Sequence, residues 1–110
     1  PRVGRMTALH TLTALEPWRL LHDGDSTPRE LIAHYPERIE RLNPTVGALT
    51  VVDADRAIAA ADALPESVAR TAPLWGLPIV DKELVARAGQ RTTYGSRLFA
   101  DYVPDASDEL

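Results

Sequence analysis

The sequence holds eleven arginines and a single lysine, Lys82. Arginine is the default cation here, and at most surface positions either residue would serve. The lone lysine is therefore read as marking a place where arginine would not do. The chemical difference is deprotonation: a desolvated lysine can become a neutral amine base, whereas a guanidinium effectively stays charged. Lys82 comes after Leu74-Trp75-Gly76-Leu77-Pro78-Ile79-Val80, a short apolar run whose Gly and Pro predict a buried strand and not a helix. Burial at the end of such a strand would favour the neutral amine. The opposing reading is a surface lysine paired with Asp81 or Glu83, held charged by its neighbours. Spacing alone leaves both readings open.

The residues after the lysine are rich in small, turn-forming and hydroxyl types: Ala88-Gly89, Thr92-Thr93 and Gly95-Ser96. That texture belongs to a site more than to packing. The elements upstream must position it. Residues 7–22 carry Leu9, Leu12, Leu15, Trp18 and Leu21 at helical spacing, and Asp23-Gly24-Asp25 ends them with turn chemistry. Thr27, Pro28 and Glu30 form a helix start with a capping box. Leu31, Ile32, Tyr35, Ile39 and Leu42 give one apolar face, Asn43-Pro44 is expected to end the helix, and Pro36 to kink or break it. Residues 46–52 read as a β-branched strand. Asp53 caps an alanine-rich helix to about Leu64, with Ala57, Ala60, Ala61 and Leu64 as its packed face. Residues 65–73 form a surface connection, and residues 105–110 look like the start of another helix.

Length and composition set the outer limits. A chain of 110 residues makes one ordinary domain. Its 45% hydrophobic and 25% charged content is that of a soluble globular protein. The net charge of −4 and the scattered basic residues give no stripe suited to a phosphate backbone, which argues against nucleic acid as a direct ligand. No cysteine is present, which removes disulfides, thiolate nucleophiles and cysteine-ligated zinc. No apolar run reaches membrane-span length and the first residues lack a signal-peptide core, so the expectation is a cytoplasmic protein with no membrane partner. Residues 1–5 read as a cloning remnant ahead of a native Met6.

Several residue types carry no function on this reading. His10, His22 and His34 recur at twelve-residue intervals, a spacing that suits neither a metal nor a nucleophile's base. No metal site is expected. Asp53 and Asp55 are helix N-terminal acids, and Trp75 is core.

The segment Gly76-Leu77-Pro78-Ile79-Val80-Asp81-Lys82-Glu83-Leu84, with Ala88-Gly89, Thr92-Thr93 and Gly95-Ser96 after it, resembles the region around the catalytic lysine of the amidase signature family. The helix ending at Asn43-Pro44, the strand at 46–52 and the helix after Asp53 resemble that family's N-terminal region, so the likeness covers about residues 26–110. Two positions depart from the pattern. Glu83 stands where aspartate is usual, and Asp81 where an apolar residue is usual.

The resemblance implies an α/β fold, with a mixed central sheet covered by helices, of which this chain supplies the N-terminal helices and first strands. It implies one amidase domain with residues 1–110 as its N-terminal portion: a helical region with one strand over 7–64, then the lysine strand and its loop over 74–110. It further implies hydrolysis of a carboxamide C–N bond by a lysine, a bridging serine in a cis peptide and a nucleophilic serine, with Lys82 as the lysine and no cofactor. Ser96 would lie near the active site and Tyr94 against substrate, although a structural turn and a packed loop aromatic are competing roles for them. Both catalytic serines lie downstream in the family, and Ser26, Ser67, Ser96 and Ser107 have no comparable setting. The chain alone is expected to be inactive, its partners being a small-molecule amide and the remainder of the fold or a second chain. The alternatives are a non-catalytic amidase-like piece that binds another chain, and an amidotransferase subunit.

Overall fold

The computed structural model describes residues 9–109. Its elements are four α-helices: α1 (Leu15–His22), α2 (Pro28–Ala33), α3 (Pro36–Val46) and α4 (Ala54–Asp62). Three short 3-10 turns accompany them at Leu9–Thr11, Glu66–Val68 and Arg97–Phe99. Two compact units divide at Pro78 and Ile79, and all four α-helices belong to the first.

Helix α1 begins later than its apolar pattern, at Leu15. Pro17 fits this start: without an N–H, and with a ring that crowds the preceding turn, proline is favoured in a helix's first turn. The expected helical residues 7 and 8 lie outside the described residues. The Glu16 carboxylate accepts from Thr13 N at 2.8 Å and from the Thr13 hydroxyl at 3.0 Å, bracing this start. The capping box of α2 is present in both directions: the Thr27 hydroxyl accepts from Glu30 N, and the Glu30 carboxylate accepts from Thr27 N. Pro36 breaks the apolar face as expected. Helix α2 stops at Ala33, and α3 restarts with Pro36 in its first turn.

Helix α3 does not end at Asn43-Pro44 as expected: it passes through Pro44 to Val46 and is capped by Gly47, whose φ of 61° is the left-handed conformation that glycine adopts without cost. The Asp53 side chain accepts from Arg56 N and caps α4. Ala57, Ala61 and Leu64 are half-buried as expected, but Ala60 is exposed and Ile58 is half-buried in its place. Helices α2 and α4 pack on each other, with Arg29 and Asp62 ion-paired between them. Leu31 of α2, 1% exposed, is the most buried side chain described.

Among the described residues there is no strand, which corrects two expectations. At residues 46–52, Val46 is the last residue of α3. The Asn43 amide then donates to Leu49 O at 2.8 Å and accepts from Leu49 N at 2.9 Å. Both backbone groups that Leu49 would offer to a neighbouring strand are thereby used. At residues 74–80 the chain turns twice, through Trp75 N to Ala72 O and Leu77 N to Leu74 O. Gly76 sits in this turn at φ 75°. A Cβ there would lie 2.8 Å from Pro28 Cγ and 3.0 Å from Leu21 Cδ1, so the glycine lets the turn approach α1 and the start of α2. Ile79 and Val80 are largely exposed, Val80 at 74%, and not buried as the apolar run predicted. Trp75 is half-buried, donating from Nε1 to Pro65 O at 3.1 Å. Residues 105–109 form no helix.

Candidate active site

The second unit is held by a fold-back of residues 86–92 against 102–108. Asp108 N donates to Ala86 O at 3.0 Å, Gly89 N to Pro104 O at 2.8 Å and Thr92 N to Tyr102 O at 3.0 Å. Side chains reinforce it: Asp108 Oδ2 accepts from Ala86 N at 2.8 Å and Ser107 Oγ from Ala88 N at 3.0 Å. Ala86, Thr92 and Pro104 are buried within it.

Lys82 precedes this fold-back and opens a tight turn, its carbonyl accepting from Val85 N at 2.8 Å. Its side chain is exposed, and not buried at the end of a strand as the apolar run before it implied. Among the described residues it forms no ion pair, and both flanking acids are engaged elsewhere. Asp81 Oδ2 accepts from Arg87 Nε at 2.5 Å. That bond holds the Asp81 carboxyl below its ordinary range, against the smaller opposing effect of burial. It also raises Arg87, which the nearby charge of Asp108 supports. The Glu83 carboxylate accepts from Thr93 N at 3.3 Å and from the Thr93 hydroxyl. Glu83 thus ties the lysine segment to the turn that carries Tyr94.

That turn, Thr93-Tyr94-Gly95-Ser96, closes through Ser96 N to Thr93 O at 2.9 Å. Tyr94 and Gly95 both have positive φ, 50° and 68°, the pattern of a type I′ turn. Tyrosine is unusual there. Its ring meets Phe99 edge-on at 5.5 Å and stacks with Tyr102 at 6.1 Å, contacts that help to offset the backbone cost. Ser96 Oγ accepts from Leu98 N at 3.3 Å and caps the 3-10 turn.

Sequence reasoning did not find the partners of Asp81 and Glu83 or the aromatic cluster around Tyr94. It also missed a histidine pair in the first unit. His10 Nδ1 and His34 Nε2 lie 3.1 Å apart with their rings stacked. The environment lowers His10, chiefly through desolvation and then through Arg38, His34 and Arg41. Among the described residues no cluster of three or more His, Cys, Asp or Glu side chains is arranged to hold a metal. No helix among them is long and apolar enough to cross a membrane.

The sequence model of the Amidase family matches residues 30–110, a span that takes in Lys82, the turn at Tyr94 and the fold-back. The chain belongs to that family. It is 37% identical over 98 residues to a glutamyl-tRNA(Gln) amidotransferase subunit of Desulforapulum autotrophicum, covering 87% of this chain and 20% of that protein. The protein of the same name from Roseiflexus sp. (strain RS-1) is 36% identical over 101 residues, 90% of this chain and 21% of that protein. That of Synechococcus sp. (strain CC9311) is 40% identical over 95 residues, 83% and 20%. The chain spans about a fifth of the length of the curated relatives it matches. No solved structure gives a significant match.

Proposed function

We propose that this chain is the lysine-bearing N-terminal portion of a single amidase domain that cleaves a carboxamide C–N bond in the cytoplasm. The observation that carries the reading is the family match across residues 30–110, which takes in a lysine whose flanking acids are both bonded to other groups. In the complete α/β domain, the Lys82 amine draws a proton through a bridging serine in a cis peptide. The nucleophilic serine oxygen then attacks the amide carbonyl, backbone N–H groups stabilise the oxyanion, and the amine leaves with the transferred proton. Water releases the acid from the acyl-enzyme. The exposed apolar side chains of the second unit, among them Leu98 at 92% and Leu84 at 60%, fit a surface to be covered by the remainder of the domain. Tyr94, with Phe99 and Tyr102 beside it, is the proposed wall against the substrate, and Ser96 sets that wall by capping the following turn.

A second reading is favoured by the names of the relatives. In it the chain is part of an amidotransferase, and the released ammonia passes to glutamyl-tRNA through a partner. The distinguishing experiment measures ammonia release from a panel of carboxamides by a polypeptide that joins this chain to the serine-bearing remainder. Release without tRNA supports the free-standing hydrolase. Release that requires glutamyl-tRNA and a partner supports the amidotransferase. No release from any amide under either condition would leave a binding role and overturn both.

A further inference from the structure

An acid beside a lysine ordinarily stabilises the ammonium form, and an ammonium has no lone pair with which to take a proton from a nucleophile. Lys82 has such an acid on each side, and each acid is bonded to another group. Asp81 is held by a cation, through Arg87 Nε at 2.5 Å. Arg87 also feels the charge of a second acid. Asp108 contributes favourably to its charge and is fixed by the reciprocal pair of bonds with the backbone of Ala86, at 2.8 and 3.0 Å. Glu83 accepts from the backbone N–H and the hydroxyl of Thr93. The Thr93 hydroxyl oxygen also accepts from Gly95 N at 3.2 Å, which fixes it to the turn.

We propose that Arg87 and Thr93 are positioning residues, each holding one of the two carboxylates that flank Lys82, so that the Lys82 amine stays out of an ion pair. Neither touches the reacting atoms; both act through an acid. The purpose assigned to the arrangement rests on the reading of Lys82 as a base. The arrangement itself stands on the geometry and can be tested without any amide hydrolysis.

Lys82 is the only lysine, so acylation of a side-chain amine by the N-hydroxysuccinimide ester of acetic acid reports one position. The amine nitrogen attacks the ester carbonyl, loses its proton to solvent and expels N-hydroxysuccinimide. Peptide mass mapping separates this product from one at the chain's N-terminus. On the 110-residue chain at neutral pH, Arg87→Gln frees Asp81 to pair with Lys82 and slows labelling severalfold. Adding Asp81→Asn to that variant restores the original rate. Thr93→Val slows labelling in the same way, Glu83→Gln in that background restores it, and Thr93→Ser, which keeps the hydroxyl, leaves the rate unchanged. Labelling at the original rate in both Arg87→Gln and Thr93→Val, with unchanged circular dichroism, would overturn the proposal. If Arg87→Gln does not fold, Asp81→Asn alone decides. An acid already held by Arg87 does not restrain the lysine, so labelling must not accelerate; severalfold acceleration would show Asp81 paired with Lys82 and overturn the idea. Inactivity of the complete protein, by contrast, would count against the proposed function and leave the labelling result standing.

Discussion

The carboxylate of Asp81 accepts from Nε of Arg87 at 2.5 Å, turned toward the arginine and engaged there instead of with the adjacent Lys82. This bond lowers the pKa of Asp81 relative to an ordinary aspartate, which fixes the sign of its effect on stability. A carboxyl depressed in the folded state contributes stability that is complete above its unfolded value, about 3.9. That contribution disappears as the pH falls through the lower, folded value. Arg87→Gln should raise the Asp81 titration midpoint, seen in its side-chain carboxyl 13C shift, and move acid unfolding to higher pH. At neutral pH the loss should be about 0.5 kcal/mol, the scale of a pair with partly exposed partners.

Gly76 offers a sharper structural test. It combines a φ of 75° with a Cβ position 2.8 Å from Pro28 Cγ, so alanine meets both backbone strain and a collision. Gly76→Ala should destabilise the chain by about 2 kcal/mol or more in urea unfolding, since an incompatible conformation costs beyond the ordinary glycine-to-alanine difference. At Gly24, where φ is 76° and nothing lies within 4 Å of the added Cβ, the same substitution should cost visibly less. Equal losses at the two positions would remove the close approach to Pro28 as the reason for Gly76.

The histidine pair predicts a pH response in the first unit. Desolvation is the leading cause of the lowered His10 value, with Arg38, His34 and Arg41 adding to it. A histidine depressed on folding contributes stability that is present above its unfolded value, about 6.5, and that is lost as the pH falls through the folded value. His10 should therefore titrate below that reference in its ring NMR shifts. His34→Gln, which removes one of the contributing charges, should move the midpoint upward. A midpoint at or above the reference in the unsubstituted chain would contradict the pairing.

The parts of this fold that could be read from sequence are those fixed by neighbours along the chain. Thr27 and Glu30 announce the start of α2, Pro36 its division from α3, and Asp53 the start of α4; each acts within a turn of itself. The strand expectations at 46–52 and 74–80 failed for a common reason. A β-branched or apolar run becomes a strand only when another segment pairs with it, and here Asn43 occupies Leu49 while Gly76 turns the second run. The segment around Lys82 was legible through the order of its small motifs. Its electrostatic setting was not. Arg87 bonds Asp81 and Thr93 bonds Glu83 across six and ten residues, separations at which side chains do not meet along a single helix or a single extended strand. Only the turn at Lys82 and the fold-back after it bring them together. The one usable signal was the pair of departures from the family pattern: Asp81 and Glu83 are acids in need of partners, and Arg87 and Thr93 supply them.

Lys82 as the base of an amidase is tested most directly by kcat for ammonia release from the complete protein carrying Lys82→Met. The expected result is a fall of about a hundredfold to ten-thousandfold, the usual worth of a positioned general base, with KM and circular dichroism little changed. Ammonia release at the unsubstituted rate would contradict the assignment and remove Lys82 from the catalytic machinery.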